Sequence, residues 1–109
     1  MATNTAEPVV FINVFTVAAE RQQELLDNLT EVTERYMKHI PGFISASFHK
    51  SLDGVRITNI AQWASPEAFG KMLQDPEAQA HFAVCREIAQ NLDYHLYNVA
   101  YSCDNTVTV

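Results

Sequence analysis

Hydrophobic and polar residues of this chain follow two kinds of pattern, one typical of strands and one typical of helices. The places where the pattern changes predict the boundaries of the secondary-structure elements. Residues 9–17 are rich in β-branched and aromatic side chains, which predicts a strand with two apolar faces. Across residues 19–40 apolar positions recur every three or four residues, which predicts an amphipathic helix. Pro41 and Gly42 follow, so the helix is expected to end there.

Two further extended runs predict a β-hairpin. Residues 43–50 and 55–63 alternate in character, and the short link between them contains Asp53 and Gly54. An Asp-Gly pair supplies the positive φ that a tight hairpin turn needs.

The second half of the chain predicts two helices and a last strand. Ser65 and Asp75 are each followed by proline, which combines a helix N-cap with a residue suited to the first helical position. The predicted elements are helices at about 66–73 and 76–91 and a strand at 95–102. The order β-α-β-β-α-β predicts an α+β fold, the ferredoxin-like split βαβ arrangement.

The first strand also predicts a partner. One layer of helices covers only one face of a four-stranded sheet, whereas residues 9–17 are apolar on both faces. The simplest cover for the second face is the same face of another copy, so a homodimer is expected, here a dimeric α+β barrel.

Composition narrows the class of protein. The 109 residues suit one domain, for which we predict a flexible N-terminal tail at 1–8, the folded domain at 9–103 and a C-terminal tail at 104–109. The formal charge of −6, without a basic cluster, argues against nucleic acid as a partner. The N-terminus does not resemble a signal peptide and no apolar run could cross a membrane, so a cytoplasmic protein without a membrane partner is expected. Cys85 and Cys103 are too few for a disulfide framework.

One strand face carries the candidate chemistry. Asn59 and Trp63 share the more apolar face of the 55–63 strand, and Asn13 holds a similar place in the first strand, its expected neighbour. In one interpretation the two amides bond each other or a loop backbone, and Trp63 is a core residue. In the other, they form a pocket for a flat aromatic substrate that carries carbonyls and phenols.

The segments FINVFTV, PGFISASFHKSLDG and NIAQW-ASPEAF, in this order and spacing, resemble the antibiotic biosynthesis monooxygenase family across about residues 9–101. Within that family the chain is most similar to anthrone oxygenases of aromatic polyketide pathways. The resemblance implies a cofactor-independent monooxygenase that uses O2 to convert an anthrone-like or naphthacenone-like carbon to a quinone. It also implies that Asn59, Trp63 and Asn13 are the catalytic residues.

Four further residues are candidates for substrate binding, namely Phe11, His49, Phe69 and Arg86. Phe69 stands where the actinorhodin-type members have a tyrosine, so this chain lacks one phenol that could take part in proton transfer. Arg86 is either a substrate contact or an exposed helix charge. The general base is undecided between the acidity of the substrate itself and a histidine such as His49.

Other functions remain open at this stage. The NVFTV start and LYNVAY end also resemble relatives that use reduced flavin to open an angucycline ring. A non-catalytic barrel that binds an aromatic metabolite is a third possibility. A haem site is less well supported. The haem-degrading branch of the family carries a tryptophan in its second helical region, and the matching position in this chain lies near Met72, which is not a tryptophan. The four histidines lack metal-ligand spacing, so no metal is expected.

Overall fold

The computed structural model describes residues 7–105 and confirms the β-α-β-β-α-β order. Residues 1–6 and 106–109 of the two expected tails lie outside the described residues. The elements are β1 (Val9–Thr16), α1 (Gln22–Arg35), β2 (Phe43–Lys50), β3 (Arg56–Trp63), α2 (Pro66–Leu73), α3 (Pro76–Ile88) and β4 (Asn91–Tyr97), with short 3₁₀ turns at Ala19–Arg21 and Met37–His39.

The four strands form one antiparallel sheet in the order β2-β3-β1-β4. This order confirms the expected ferredoxin-like fold and makes β1 and β3 central neighbours. Their register places Asn13 directly opposite Asn59, and on the other side β4 places Tyr94 opposite Asn13. Since residues opposite each other share a sheet face, these three side chains belong to the face that the helices cover.

The predicted turn chemistry is confirmed. Gly54 has φ +85° and its N–H donates to the Ser51 carbonyl at 3.1 Å, which closes the hairpin between β2 and β3. The Ser65 hydroxyl accepts from the Ala68 N–H at 3.1 Å, and an Asp75 carboxylate oxygen accepts from the N–H of Ala78 at 3.0 Å. Each cap satisfies an N–H that the first turn of a helix leaves without a partner.

Three predicted elements differ from the structure in their bounds. The α-helix predicted over 19–40 is confined to Gln22–Arg35, because Tyr36 leaves the helical region at φ −133° and donates its hydroxyl to Asp75 at 2.7 Å. The helix predicted at 76–91 ends earlier, at Ile88. The strand predicted at 95–102 was wrong in position, since β4 is Asn91–Tyr97. Gln90 bonds the Thr16 carbonyl at 2.7 Å, so pairing with β1 replaces further helix.

The core between the sheet and the helices divides into two clusters. The first cluster lies towards the β3 start and the α3 end and comprises Phe15, Val17, Leu25, Leu29, Ile57, Cys85, Ile88 and Ala89. The second cluster comprises Ala61, Trp63, Phe69, Met72 and Ala78. Asn13 and Asn59 lie at the register positions between these clusters on β1 and β3. In residues 7–105, no helix has both the length and the apolar character needed to cross a membrane.

Candidate active site

A small cavity lies where the two core clusters meet. Its free volume is about 60 Å³, which is room for a few water molecules. We call it the central cavity, and residues from β1, α1, β2, β3, α2, α3 and β4 line it: Phe11, Asn13, Phe15, Leu29, Thr33, Met37, Phe43, Ala46, Phe48, Asn59, Ala61, Trp63, Met72, His81, Phe82, Cys85 and Leu92. The wall is therefore mostly aromatic and aliphatic, with a few polar groups.

The side-chain oxygens of two amides face this apolar wall without a hydrogen-bond partner in residues 7–105. Asn13 is only 5% exposed, and the Oδ1 atoms of Asn13 and Asn59 are both buried with no hydrogen-bond partner among residues 7–105. Leaving a buried polar group unpaired costs about 1–3 kcal/mol. The interpretation in which these amides satisfy each other or a loop backbone is therefore not supported for either oxygen. Both oxygens are available to a ligand.

Trp63 forms one aromatic side of the site. It is 2% exposed and meets Phe43 edge to face, with ring centroids 5.4 Å apart and an interplanar angle of 86°. Phe69 contacts it from α2 in a similar manner at 6.1 Å and 74°. These contacts hold the indole in one orientation beside the central cavity.

Phe11 and Arg86 both line a second cavity, which adjoins the central cavity. This side cavity also has a free volume of about 60 Å³ and is lined by Phe11, Asn13, Leu73, Phe82, Arg86, Leu92 and Tyr94. Four of these residues also line the central cavity, so Phe11 and Phe82 are part of the partition between the two. Arg86 is exposed and contributes a cation to the outer end of the site.

The remaining two candidates lie off the cavity walls. Phe69 is buried behind Phe11, with ring centroids 4.9 Å apart, and supports the wall. His49 pairs with Thr58 on the opposite face of the sheet, where it is exposed and contacts the Ser47 hydroxyl at 2.9 Å. The structure thus brings together Asn13, Asn59, Trp63, Phe11 and Arg86, but not His49.

Sequence reasoning missed several residues of the site. Tyr94 was misplaced with its strand, although the alternation of Leu92, Tyr94 and Leu96 could have indicated one face of β4. His81, Phe82 and Cys85 were not singled out from the sequence as site residues. Their i, i+1, i+4 spacing places them on neighbouring positions of one helix side, but only the packing of α3 on the sheet turns that side to a cavity.

The site has few titratable groups. No Asp or Glu lines either cavity, and no cluster of three or more His, Cys, Asp or Glu side chains that could hold a metal is present in the described part of the chain. Burial raises the pKa of the Cys85 thiol to about 12, so this group stays protonated. Burial, assisted by the Arg35 charge and opposed by Glu31, lowers the pKa of His81. A neutral imidazole therefore faces the cavity at neutral pH.

Comparison with known proteins identifies the family and the fold. Residues 8–84 match the model of the family described as antibiotic biosynthesis monooxygenase. The chain is 48% identical over 92 residues to the tetracenomycin-F1 monooxygenase of Streptomyces glaucescens. The matched region covers 83% of this chain and 82% of that protein.

Two solved structures share the fold. SnoaB, a cofactor-independent oxygenase from Streptomyces nogalater, is 23% identical, with a TM-score of 0.71 over 89% of this chain and 97% of SnoaB. The monooxygenase from the gene ActVA-Orf6 of Streptomyces coelicolor, in complex with nanaomycin D, is 20% identical, with a TM-score of 0.80 over 93% and 94% of the two chains. The resemblance drawn from the sequence is thereby confirmed: this chain belongs to the antibiotic biosynthesis monooxygenase family.

Proposed function

We propose that this monooxygenase inserts one oxygen atom of O2 into an activated ring carbon of an aromatic polyketide, an anthrone or a naphthacenone, and so forms a quinone. It does so without a metal or a prosthetic group. The observation that carries this proposal is the pair of buried, unpartnered amide oxygens of Asn13 and Asn59 beside Trp63. The name of the relative from Streptomyces glaucescens supports the substrate class.

The reaction balances without a further redox partner. A ring CH2 and O2 give a carbonyl and water, so the carbon loses four electrons and O2 gains them. Removal of a proton first leaves an electron pair on the substrate, which spreads over the rings as an enolate. A carbon–oxygen bond to O2 then forms, and the resulting hydroperoxide loses water. The protein has to favour the enolate, admit O2 and exclude bulk water.

The amides match the edge of such a substrate. A polyphenol presents hydroxyl groups, which the Oδ1 atoms of Asn13 and Asn59 accept, and a carbonyl that becomes an oxyanion, to which the Nδ2 groups donate. A donor placed at a developing oxyanion contributes about 2–4 kcal/mol to the transition state. Trp63 stacks on the rings, and its indole N–H donates to an oxygen of the substrate or of the hydroperoxide.

Substrate entry requires side chains to move. Ligand sites for molecules of this class commonly enclose at least ~300 Å³, whereas each cavity holds about 60 Å³. A flat three-ring or four-ring substrate is accommodated when Phe11 and Phe82 rotate out of the shared wall. The two cavities then become one slot, with Arg86 and Tyr94 at its outer end.

We also propose that the enzyme is a homodimer joined through the open face of the sheet. Val10, Ile12 and Val14 lie on the face opposite the helices, together with Ile60, which is 37% exposed, and Tyr97, which is 46% exposed. An apolar sheet face without a helix layer is typical of an interface. Light scattering after size exclusion at micromolar concentration measures the mass, and a stable monomer would contradict this assembly.

Oxygen uptake with the anthrone dithranol tests the function. We expect uptake by the protein alone and a quinone product by absorbance. Asn59→Ala and Trp63→Phe should each lower kcat tenfold or more while circular dichroism stays native. Asn98→Ala, in the exposed segment after β4, is the matched control and should keep wild-type turnover.

The same experiment separates the alternatives. Uptake that appears only with added reduced flavin would replace the cofactor-independent reaction by a flavin-assisted one. Tight binding of dithranol without uptake in either condition would indicate a binding protein. Unchanged turnover in both site variants would exclude the central cavity as the active site.

A further inference from the structure

We infer that His81 is the general base of this site, which takes the proton from the substrate in the central cavity. This inference rests on the proposed oxygenase function and names the group that the reaction still lacks. Four observations carry it: the place of His81 on the cavity wall, the absence of competing bases, the weak bonding of its ring and its second exposure to an outer groove.

His81 is the one imidazole among the residues that line the two cavities. It lies on α3, which packs against the sheet face of Asn13 and Asn59, and it is 7% exposed. The other titratable groups there are Cys85, Arg86 and Tyr94, and no carboxylate lines either cavity. Burial raises the pKa of the Cys85 thiol to about 12, so this thiol keeps its proton at neutral pH. Guanidinium and phenol groups act as hydrogen-bond donors, so neither type of side chain supplies a base here.

The ring of His81 is not engaged by a strong partner. Within residues 7–105 its contacts are to the Cys85 Sγ, at 3.6 Å from Nε2 and 3.9 Å from Nδ1. A thiol is a weak donor and a weak acceptor, so it orients the imidazole but leaves the ring nitrogens available for proton transfer. A purely structural buried histidine is usually fixed by an oxygen partner, which the described residues do not offer here.

His81 also reaches the outside of the protein. It lines the outer groove between α1 and α3, formed by Asn28, Glu31, Val32, Arg35, Pro76, Glu77, Ala80, His81 and Val84. One imidazole therefore borders both the substrate cavity and a groove that is open to solvent. This position lets the ring exchange its proton with water after each turnover.

The charged side chains around the imidazole act on both its neutral and its protonated form. Arg35 and Glu31 face it from α1 and Glu77 from α3, and Arg35 bonds Glu31 at 2.9 Å and Glu77 at 2.6 Å. On the cavity side its neighbours are uncharged. Burial and the nearby Arg35 charge lower the pKa of His81, so the free base predominates at pH 7, while the Glu31 carboxylate partly offsets them and favours the imidazolium once it forms.

The proton step is simple. The C–H bond of the reacting CH2 breaks, its electron pair stays on the substrate as the enolate, and an N–H bond forms on the imidazole. After O2 adds to the carbon, the imidazolium returns this proton to the terminal oxygen of the peroxide. The later loss of water again needs a base at the carbon and a proton at the departing oxygen, both of which the same ring can supply.

The test compares His81→Gln with the wild type in oxygen uptake on dithranol from pH 5 to 9. We expect kcat/KM of the wild type to fall on the acid side, below the ordinary histidine pKa of about 6.5. In His81→Gln the acid limb in the histidine range should be lost, so that the rate follows only the ionisation of the substrate, and the rate at pH 7 should drop about 10²-fold. The rate should recover towards the wild type at high pH, where the substrate ionises by itself. His39→Gln, exposed after α1, is the matched control and should behave as the wild type.

Anaerobic mixing separates binding from proton transfer. Trp63 is the single tryptophan of the chain, so its fluorescence reports binding, while the visible band of the dithranol anion reports deprotonation. We expect the wild type to bind and to form the anion at pH 7, and His81→Gln to bind equally and to form little anion. Equal anion formation by both proteins would refute the role of His81 and assign the step to the acidity of the substrate.

Two further outcomes are distinguishable. If His81→Gln does not fold, histidine ring NMR of the wild type replaces it, since one imidazole should become protonated when dithranol is added without O2. No change in any ring would overturn the inference. If the wild type binds and deprotonates dithranol but consumes no oxygen with or without reduced flavin, the proposed function fails while His81 stays the base.

Discussion

Replacement of Asn13 by leucine should make the protein more stable and less active. Asn13 lies in a central strand at 5% exposure, and its Oδ1 has no partner among the described residues. Active sites often hold such groups because the ligand, not the protein, is their partner.

The magnitude follows from the geometry. Removal of the unpaired oxygen relieves about 1–3 kcal/mol, and the adjoining free volume of about 60 Å³ gives the slightly larger leucine room without severe overpacking. We therefore expect Asn13→Leu to raise the free energy of unfolding by about 1–2 kcal/mol. For a domain of this size, each kcal/mol corresponds to a Tm increase of about 4–8 °C. Turnover should fall about 10²-fold, the usual effect of losing one donor to an oxyanion.

The assay is urea denaturation at one fixed protein concentration, because dimerisation makes apparent stability depend on concentration. Asn28→Leu is the matched control. Its Oδ1 is also buried without a partner in the described part of the chain, but it lies on α1 in the outer groove. It should give a similar or slightly larger gain in stability, because leucine also favours helix, and a much smaller loss of oxygen uptake than Asn13→Leu, because Asn28 does not line the central cavity. A loss of stability in Asn13→Leu would show that the amide is bonded in the protein and would refute this reasoning.

Two further predictions concern the scaffold. A Cβ at Gly42 would overlap the Cβ of Ala68 and would hold a positive φ of +95°, so Gly42→Ala should lower the free energy of unfolding by about 2 kcal/mol or more. Gly54→Ala has a similar φ of +85° but open space, and should cost only about 1 kcal/mol in the same urea titration; equal losses would exclude the steric contribution. Iodoacetamide at pH 8 should modify exposed Cys103 but not Cys85, which is 2% exposed and has a pKa raised to about 12. Mass spectrometry counts the adducts, and rapid double labelling in native protein would contradict this.

The side of the sheet that carries the candidate site could be predicted from period-two patterning. Asn59 and Trp63 are four residues apart in a strand and must share a face, whatever else the fold does. The step from there to Asn13 needed only the neighbour relation of the first and third strands, which the order of elements implies. The observed register places Asn13 directly opposite Asn59.

Helix ends and the last strand were harder to predict because local preference competes with pairing. Residues 89–91 can continue a helix, but an extended Ala89 lets Gln90 bond Thr16 and brings Leu92 and Tyr94 onto the β1 edge. The gain from that pairing is absent from any local pattern. Consequently the strand predicted from the sequence begins several residues too late, and Tyr94 was not predicted to belong to the site.

The sequence by itself determined the fold class, the hairpin, both proline-started helices, the family and the amide–indole face, because each depends on local period, turn chemistry or motif spacing. Only the tertiary structure decided which side chains meet. It turned His49 away from the cavity and brought His81 to it, because a residue on a strand changes face with one step, whereas a helix presents a side only where it packs. It also decided that two buried oxygens lack partners, since hydrogen bonding depends on distances that no spacing along the chain contains.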